Sequence, residues 1–251
     1  MLELARVLAG PWIGQTLADL GAQVIKIESP AGDETRRWGP PFLENADGSA
    51  ADAAYFHSCN RGKESLVLDF RRPEDLQRVL QLAREADVLV ENFKVGSLAK
   101  YHLDYPSLAA GNPRLVYCSI SGFGQRGRYA NRPGYDFVAQ AMSGLMDVTG
   151  EPGRPPQKVG VAVTDIITGL YGLAGIQAAL AERARSGRGQ HIEVALLDST
   201  IGALANQAMN SLTGGPAPTR MGNSHPNIAP YQEFRTADGF IVVAVGNDAQ
   251  F

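Results

Sequence analysis

Short apolar segments alternate with helical segments along most of this chain, and this alternation restricts the fold more than any other feature. The first thirty residues predict a strand, a helix and a second strand, with Pro11 near the start of the helix and Gly21 at its end. Further strands are predicted at residues 66–68, 88–90, 115–120 and 190–195, and a helix at 72–85. This pattern predicts an α/β fold with a Rossmann-like, mainly parallel sheet lobe.

The second half of the sequence is more helical. Helices are predicted at residues 135–148, 165–185 and 196–212, a strand at 240–245, and long loops at 29–62 and 222–230. We therefore predict that residues 1–185 form a Rossmann-like lobe that includes the helix starting at Asp165. Residues 186–251 are predicted to form a linker or the start of a second small domain. Since both ends of the chain lie close to predicted strands, we expect it to be a fragment of a longer protein.

Composition argues against several functional classes. The net charge is −3 and the basic residues are spread along the chain, so we expect no nucleic-acid partner and no anionic membrane surface. Cys59 and Cys118 stand alone, which fits a reducing cytoplasm. The four histidines lack metal-ligand spacing, so no metal site is predicted. No nucleophile elbow or Walker A sequence is present.

Asp165 is the only charged residue between Val159 and Ala181. This stretch is long enough to span a bilayer, but the charge and four glycines favour a closely packed, buried helix. The carboxylate has two interpretations. It can cap the helix that follows, or it can act as a nucleophile kept ionised by the helix N-terminus. Asp136 also opens an apolar helix, and capping would explain it equally well.

Ligands of parallel α/β sheets bind beyond the carboxyl ends of the strands. Here those ends are the segments that begin at Glu28, Glu91 and Ser121. Asn92-Phe93-Lys94 could place an aromatic face and a cation against a ring and a phosphate, or could form an ordinary loop. The first strand-to-helix turn reads L-A-G-P rather than G-x-G-x-x-G, which argues against a dinucleotide site.

Nine segments, in order along essentially the whole chain, resemble the class III CoA-transferases, the family of formyl-CoA transferase and carnitine CoA-transferase. They are VLAGPW (7–12), DLGAQVIKIE (19–28), GDETRRWGPPF (32–42), NRGKESLVLDF (60–70), ADVLVENFKVG (86–96), SISGFGQRG (119–127), RPGYDFVAQAMSGLM (132–146), DIITG (165–169) and SGRGQHIEVALLDS (186–199).

The resemblance implies a mechanism and an assembly. The aspartate at position 165 would attack an acyl-CoA thioester to form an acyl-aspartyl anhydride, which the CoA thiolate converts to an aspartyl-CoA thioester for the acceptor acid to attack. The family forms interlocked homodimers closed by a C-terminal part. The chain would thus be a truncated form of that fold, with acyl-CoA and carboxylic acids as its substrates.

The resemblance also implies roles for individual residues. Asp136 would support the catalytic aspartate, with Tyr135 beside it, and the 222–230 loop would stand where the family has a mobile active-site loop. Val95 replaces a proline of the family's N-F-x-P-G loop. The residues implied to bind CoA are Leu8, Ala9, Asp69, Phe70, Arg71, Asn92, Phe93, Lys94 and Lys100.

The sequence allows two alternatives to CoA transfer, and it also bears on which acids are the substrates. A 2-methylacyl-CoA racemase shares the fold, but it carries a histidine where this chain has Tyr135, and an unperturbed tyrosine is a poor base at neutral pH. A truncated chain could also bind CoA without turnover. The 222–230 loop lacks the glycine run of formyl-CoA transferases. Segments 32–42 and 222–243 most resemble the branch that uses succinyl-CoA and glutarate or a similar acid.

Overall fold

A computed structural model describes residues 1–251. The chain contains ten strands and eight α-helices. The strands are β1 (Leu2–Glu3), β2 (Ile25–Glu28), β3 (Phe42–Glu44), β4 (Ala50–Ala53), β5 (Glu64–Val67), β6 (Val88–Glu91), β7 (Val116–Ser121), β8 (His191–Ala195), β9 (Tyr231–Arg235) and β10 (Phe240–Ala244). The helices are α1 (Ala9–Asp19), α2 (Ala54–His57), α3 (Pro73–Glu85), α4 (Tyr105–Gly111), α5 (Asp136–Ser143), α6 (Val163–Ser186), α7 (Leu196–Ala203) and α8 (Ala205–Leu212).

Six strands form one parallel sheet in the order β5-β2-β1-β6-β7-β8, which confirms the predicted α/β class. Two antiparallel hairpins, β3-β4 and β9-β10, stand apart from it. From β1 the chain proceeds to β2 on one side, and it later returns to β6 on the other side. The carboxyl ends of β1 and β6 therefore flank a topological switch point, where α/β proteins place their ligands.

The sheet buries an apolar core on each face. One core joins α1 and α6 to the sheet through residues such as Ile13, Val90, Cys118 and Ile176. The other core joins the opposite face to α3 and α4, with Leu89 and Tyr117 at its centre. Strand side chains alternate between the two faces, and both are apolar, which explains the continuous apolar runs of the central strands.

Helix α6 is the one helix whose length and composition would allow it to cross a membrane. In the structure it crosses α1 at close range, as predicted from its glycines. The prediction that it is buried is wrong for its other face, where Leu170 and Tyr171 are about half exposed. A Cβ atom at Gly169 would lie 2.9 Å from the carbonyl oxygen of Ala9, and one at Gly172 would lie 2.7 Å from Ile13. Small residues at these positions let the two backbones approach and bring the start of α6 to the carboxyl end of the sheet.

Several sequence expectations need correction. The domain boundary predicted after residue 185 precedes β8, which is a strand of the main sheet, so the sheet lobe extends past it. The helix predicted at 196–212 is two helices, because Ala205 has a φ of 44°. The first strand is shorter than predicted, and the loop expected at 29–62 contains β3, β4 and α2. These features depend on contacts that local patterns do not show.

Four charged side chains, those of Glu3, Lys26, Asp33 and Lys63, contact one another in the interior of the protein. The ammonium of Lys26 lies 3.0 Å from Glu3 and 3.1 Å from Asp33, and that of Lys63 lies 2.9 Å from Glu3. All four side chains are nearly inaccessible to water. Burial opposes the charge of Lys26, but its pairing with Glu3 and Asp33 raises the pKa of Lys26 overall. Two cations and two anions balance in this cluster, called here the buried charge cluster.

We expect Lys26→Met to destabilise the fold by about 3 kcal/mol, because it leaves the Glu3 and Asp33 carboxylates buried with a single cation. Urea unfolding followed by circular dichroism measures this loss. The matched control is Lys158→Met, at an exposed loop position, which should change stability by less than about 0.5 kcal/mol. Equal effects of the two substitutions would contradict the structural role of the cluster.

Candidate active site

A cavity of about 440 Å³ opens at the switch point of the sheet. Its walls are the segments that follow β1, β6 and β7, together with residues 130–135 and the first turn of α6. Two of the three strand ends expected to hold a ligand, those after Glu91 and at Ser121, therefore line the cavity. The third, after Glu28, does not, since Glu28 is tied to Arg36 and Ser65 instead.

The turn from β1 into α1 forms the floor of the cavity and has an unusual backbone. Val7 has a φ of 70°, a left-handed conformation that β-branched residues rarely adopt and that costs about 1–3 kcal/mol. Side chains from outside the turn hold its backbone: Lys26 donates to Ala5 O (2.8 Å), Asp33 accepts from Val7 N (3.3 Å), Asn92 accepts from Arg6 N (2.9 Å) and donates to Arg6 O (2.7 Å), and Lys63 donates to Pro11 O (2.8 Å). The turn is therefore fixed by its surroundings, and it carries Leu8 and Ala9 into the wall.

Asp165 lines the cavity from the first turn of α6, two residues after the helix begins. The helix-capping interpretation is wrong, because Ala162 occupies the N-cap and the Asp165 carboxylate has no hydrogen-bond partner in the chain. Burial raises the pKa of Asp165 to about 7, and the negative charge of Asp136 adds to the increase. Burial thus outweighs the ionising effect we expected from the helix N-terminus. The result is a basic carboxylate, free of partners, at the wall of a cavity.

Asp136 lies behind the cavity wall and caps α6 instead of its own helix, α5. Its Oδ1 accepts from the backbone N–H of Thr164 at 2.9 Å, and its Oδ2 accepts from Gln140 Nε2 at 2.7 Å. Gln140 Oε1 in turn accepts from the N–H of Val159 at 2.8 Å. This chain of bonds fixes the segment that leads into α6, and with it the position of Asp165. Asp136 therefore supports Asp165 through the backbone as well as through its charge.

Tyr135 lines the cavity beside Asp165, with 57% of its surface exposed. Its position depends on a close crossing of two loops. A Cβ atom at Gly122 would lie 2.5 Å from the Cα of Gly134, so both positions need glycine for the loops to touch. This crossing brings the start of α5 against the end of β7.

The residues implied to bind CoA fall into two groups. Leu8, Ala9, Asn92, Phe93 and Lys94 line the cavity. The other four lie outside it on an adjoining surface, called here the outer surface, whose members are Asp69, Phe70, Arg71 and Lys100. The two groups join through aromatic contacts: the ring of Phe70 lies 6.1 Å from that of Phe93 and 5.8 Å from that of Tyr101, over which Lys100 Nζ sits at 4.7 Å. Arg71 pairs with Asp69 on the same surface.

Four residues at or near the cavity were not predicted from the sequence: Arg6, Glu34, Tyr55 and Arg132. Arg6, Glu34 and Arg132 line it. The charged groups of the cavity wall are therefore three cations, on Arg6, Lys94 and Arg132, and two carboxylates, on Glu34 and Asp165. Tyr55 lies close enough to Asp165 that the carboxylate charge, after burial, helps raise the pKa of Tyr55 to about 12. Arg6 lies two residues before the L-A-G-P turn, a signal available in the sequence. No motif near Tyr55 in the sequence indicated that it lies close to the cavity.

The loop at residues 222–230 does not line the cavity. It runs beside Gly150 and the β9-β10 hairpin, with Gly222 N donating to Gly150 O at 3.0 Å. No group of three or more His, Cys, Asp or Glu side chains is arranged to hold a metal ion.

Comparison with known proteins identifies the family. The chain is 60% identical over 252 residues to a succinate–glutarate CoA-transferase of Agrobacterium fabrum and 42% identical over 255 residues to a succinyl-CoA:mesaconate CoA-transferase of Haloarcula hispanica. Both matches cover the whole of this chain. They cover 63% of the Agrobacterium protein and 64% of the Haloarcula protein. The crystal structure of a CAIB/BAIF family protein from Brucella suis superposes with a TM-score of 0.91 at 61% identity, covering 99% of this chain and 65% of that protein. The sequence model of CoA-transferase family III matches residues 1–251, and the chain belongs to that family.

Proposed function

We propose that this protein transfers coenzyme A between an acyl-CoA and a free carboxylic acid, with succinyl-CoA and a second dicarboxylic acid as its substrates. The observation that carries the proposal is the unpartnered Asp165 carboxylate at the wall of the switch-point cavity. The names of the relatives from Agrobacterium fabrum and Haloarcula hispanica support the choice of acids. The chain spans less than two thirds of those relatives, so its activity is a question for experiment.

The first half of the reaction begins with the ionised Asp165. A carboxylate oxygen attacks the thioester carbonyl carbon, the carbon–sulfur bond breaks, and CoA leaves as a thiolate from an acyl-aspartyl anhydride. The thiolate then attacks the aspartyl carbonyl carbon and releases the donor acid, which leaves an aspartyl-CoA thioester. The raised pKa of Asp165 favours the attack, since a more basic carboxylate is a stronger nucleophile.

The second half reverses these steps with a new acid. The acceptor carboxylate attacks the aspartyl thioester carbon and expels the thiolate, which then attacks the acceptor's own carbonyl carbon and frees Asp165. Arg6, Lys94 and Arg132 provide positive charge at the cavity for anionic substrates.

The outer surface supports binding of a long thioester. Phe70 continues the aromatic contact of Phe93 out of the cavity, and Arg71 and Lys100 add cations at its far end. We propose that the acyl group lies in the cavity and that the nucleotide end of CoA lies over this surface.

We also propose that the chain forms a homodimer in the cytoplasm. Large apolar side chains on α5, α6 and the β9-β10 hairpin are more than half exposed, including Phe137, Tyr171 and Val242, which supports a partner surface. The free, buried thiols of Cys59 and Cys118 support a reducing location.

Light scattering coupled to size-exclusion chromatography should give twice the monomer mass of 26.8 kDa, and a monomer at micromolar concentration would contradict the dimer.

We expect Asp165→Ala to lower the exchange of labelled succinate into succinyl-CoA by about 10³-fold or more, because the nucleophile is removed. Asp238→Ala, at an exposed turn, should exchange at the wild-type rate. Hydroxylamine added to wild-type protein with succinyl-CoA should leave a hydroxamate on Asp165, which mass spectrometry of the peptide detects. Undiminished exchange by Asp165→Ala would refute the nucleophile. Binding of CoA by the wild type without any exchange would refute turnover by this chain.

The stability of the protein should depend on pH through Asp165. Its pKa is about 7 in the folded chain and ordinarily 3.8, so the fold favours the protonated form. The contribution of Asp165 to wild-type stability should fall as pH rises from about 4 to 7, and nearly the whole loss should be present at pH 8. Asp165→Asn should therefore be more stable than wild type by up to about 4 kcal/mol at pH 8 and nearly equal at pH 4.

Urea unfolding at the two pH values measures this difference, with Asp238→Asn as the control that should follow the wild type at both. A pH-independent gap between Asp165→Asn and wild type would show that the Asp165 carboxyl is not held against ionisation.

A further inference from the structure

Glu91 is a buried carboxyl group that the proposed chemistry does not use. It is the last residue of β6, and its Oε2 accepts from the backbone N–H of Phe93 at 2.8 Å. The next residues, from Asn92 to Val95, line the cavity. The Glu91 side chain therefore sets the direction in which the chain turns as it leaves the sheet and forms the cavity wall.

A row of polar side chains continues from Glu91 across two more strands. Ser119 of β7 stands opposite Glu91 in register, and its hydroxyl acts to lower the pKa of the Glu91 carboxyl. The same Ser119 oxygen lies 2.9 Å from Nε2 of His191 on β8, and the His191 ring stacks on Tyr105 at 5.0 Å. His191 is partly exposed at the far end, with Nδ1 3.8 Å from Glu193. The row thus connects the cavity wall to the surface through the sheet.

We propose that Glu91 is a positioning residue for acyl-CoA: its carboxylate holds the Asn92–Val95 segment in the conformation that receives the thioester, with Ser119 opposite it in register and His191 on the next strand. This inference rests on the proposed function, because it takes acyl-CoA as the ligand of the cavity. Asn92 strengthens the argument from the other side, since it joins the same segment to the backbone of Arg6 by two hydrogen bonds.

The protonation of Glu91 makes the proposal testable. Burial raises the pKa of Glu91 to about 7, and the bonds from Ser119 and from Phe93 N–H act against the increase. An ionised carboxylate accepts a stronger hydrogen bond than a neutral carboxyl group does. The Asn92–Val95 segment should therefore be held more firmly at pH 8 than at pH 6.

The groups around Glu91 do not titrate in its place. Burial raises the pKa of Cys118 to about 12 and that of Tyr117 still further, so both stay neutral. Burial lowers the pKa of His191, which keeps it neutral near pH 7. The remaining titratable and charged groups, on α4, on β8 and in the neighbouring loops, are Asp104, Tyr105, Glu193, Arg6, Lys94 and Arg126.

The test is isothermal titration calorimetry of CoA into wild type, Glu91→Gln and Glu64→Gln at pH 6, 7 and 8. Glutamine keeps the acceptor for Phe93 N–H but stays neutral, so it imitates protonated Glu91. We expect the Kd of Glu91→Gln, divided by that of wild type, to rise from near 1 at pH 6 to about fivefold at pH 8. Ionisation of CoA or of Asp165 affects both proteins and cancels in this ratio. Glu64→Gln, at an exposed position on edge strand β5, should give a ratio of 1 throughout.

Ser119→Ala provides a second measurement. Because the Ser119 hydroxyl lowers the pKa of Glu91, its loss should move the midpoint of the Glu91→Gln Kd ratio, measured in the Ser119→Ala background, to higher pH. A purely structural role would weaken binding without moving this midpoint. A Glu91→Gln ratio that is constant with pH, or an unmoved midpoint in Ser119→Ala, overturns the inference. Failure of wild type to bind CoA overturns the proposed function and this inference together.

Discussion

The β1-α1 turn is the constraint on which the site depends. Val7 adopts a left-handed conformation that its branched side chain disfavours, and the turn persists because the surroundings bind its backbone on several sides. The buried charge cluster supplies three of these bonds, from Lys26, Asp33 and Lys63. The cluster therefore does more than neutralise itself. It also holds the backbone that forms the floor of the cavity.

Helix α6, which carries Asp165, is positioned by a second set of contacts. Close packing of Gly169 against Ala9 ties the start of α6 to the same turn, and Asp136 caps α6 from the neighbouring helix. These contacts hold Asp165 where burial and a like charge make ionisation unfavourable. The protein thus gives up stability at the residue proposed to do the chemistry, a trade that functional sites commonly show.

Much of the fold was predictable because its signals are local. Periodicity of apolar residues located most strands of the main sheet and the long helices, and the L-A-G-P turn and the N-F-K segment marked two walls of the cavity. The strand order was not predictable by these means, nor was the inclusion of β8 in the sheet, since both depend on pairing between distant segments. The row from Glu91 to His191 was invisible for the same reason: its members lie on three strands that only the sheet register aligns.

The sequence by itself determined the α/β class, the family resemblance and the identity of Asp165 as the residue to examine, because each follows from residue types in order along the chain. It left open whether Asp165 caps a helix or stands free in a cavity. The tertiary structure decided that question, since the cap comes from Asp136 and Ala162 holds the N-cap position. It also decided the raised pKa of Asp165, which arises from burial among segments far apart in the chain and from a neighbouring charge 29 positions away.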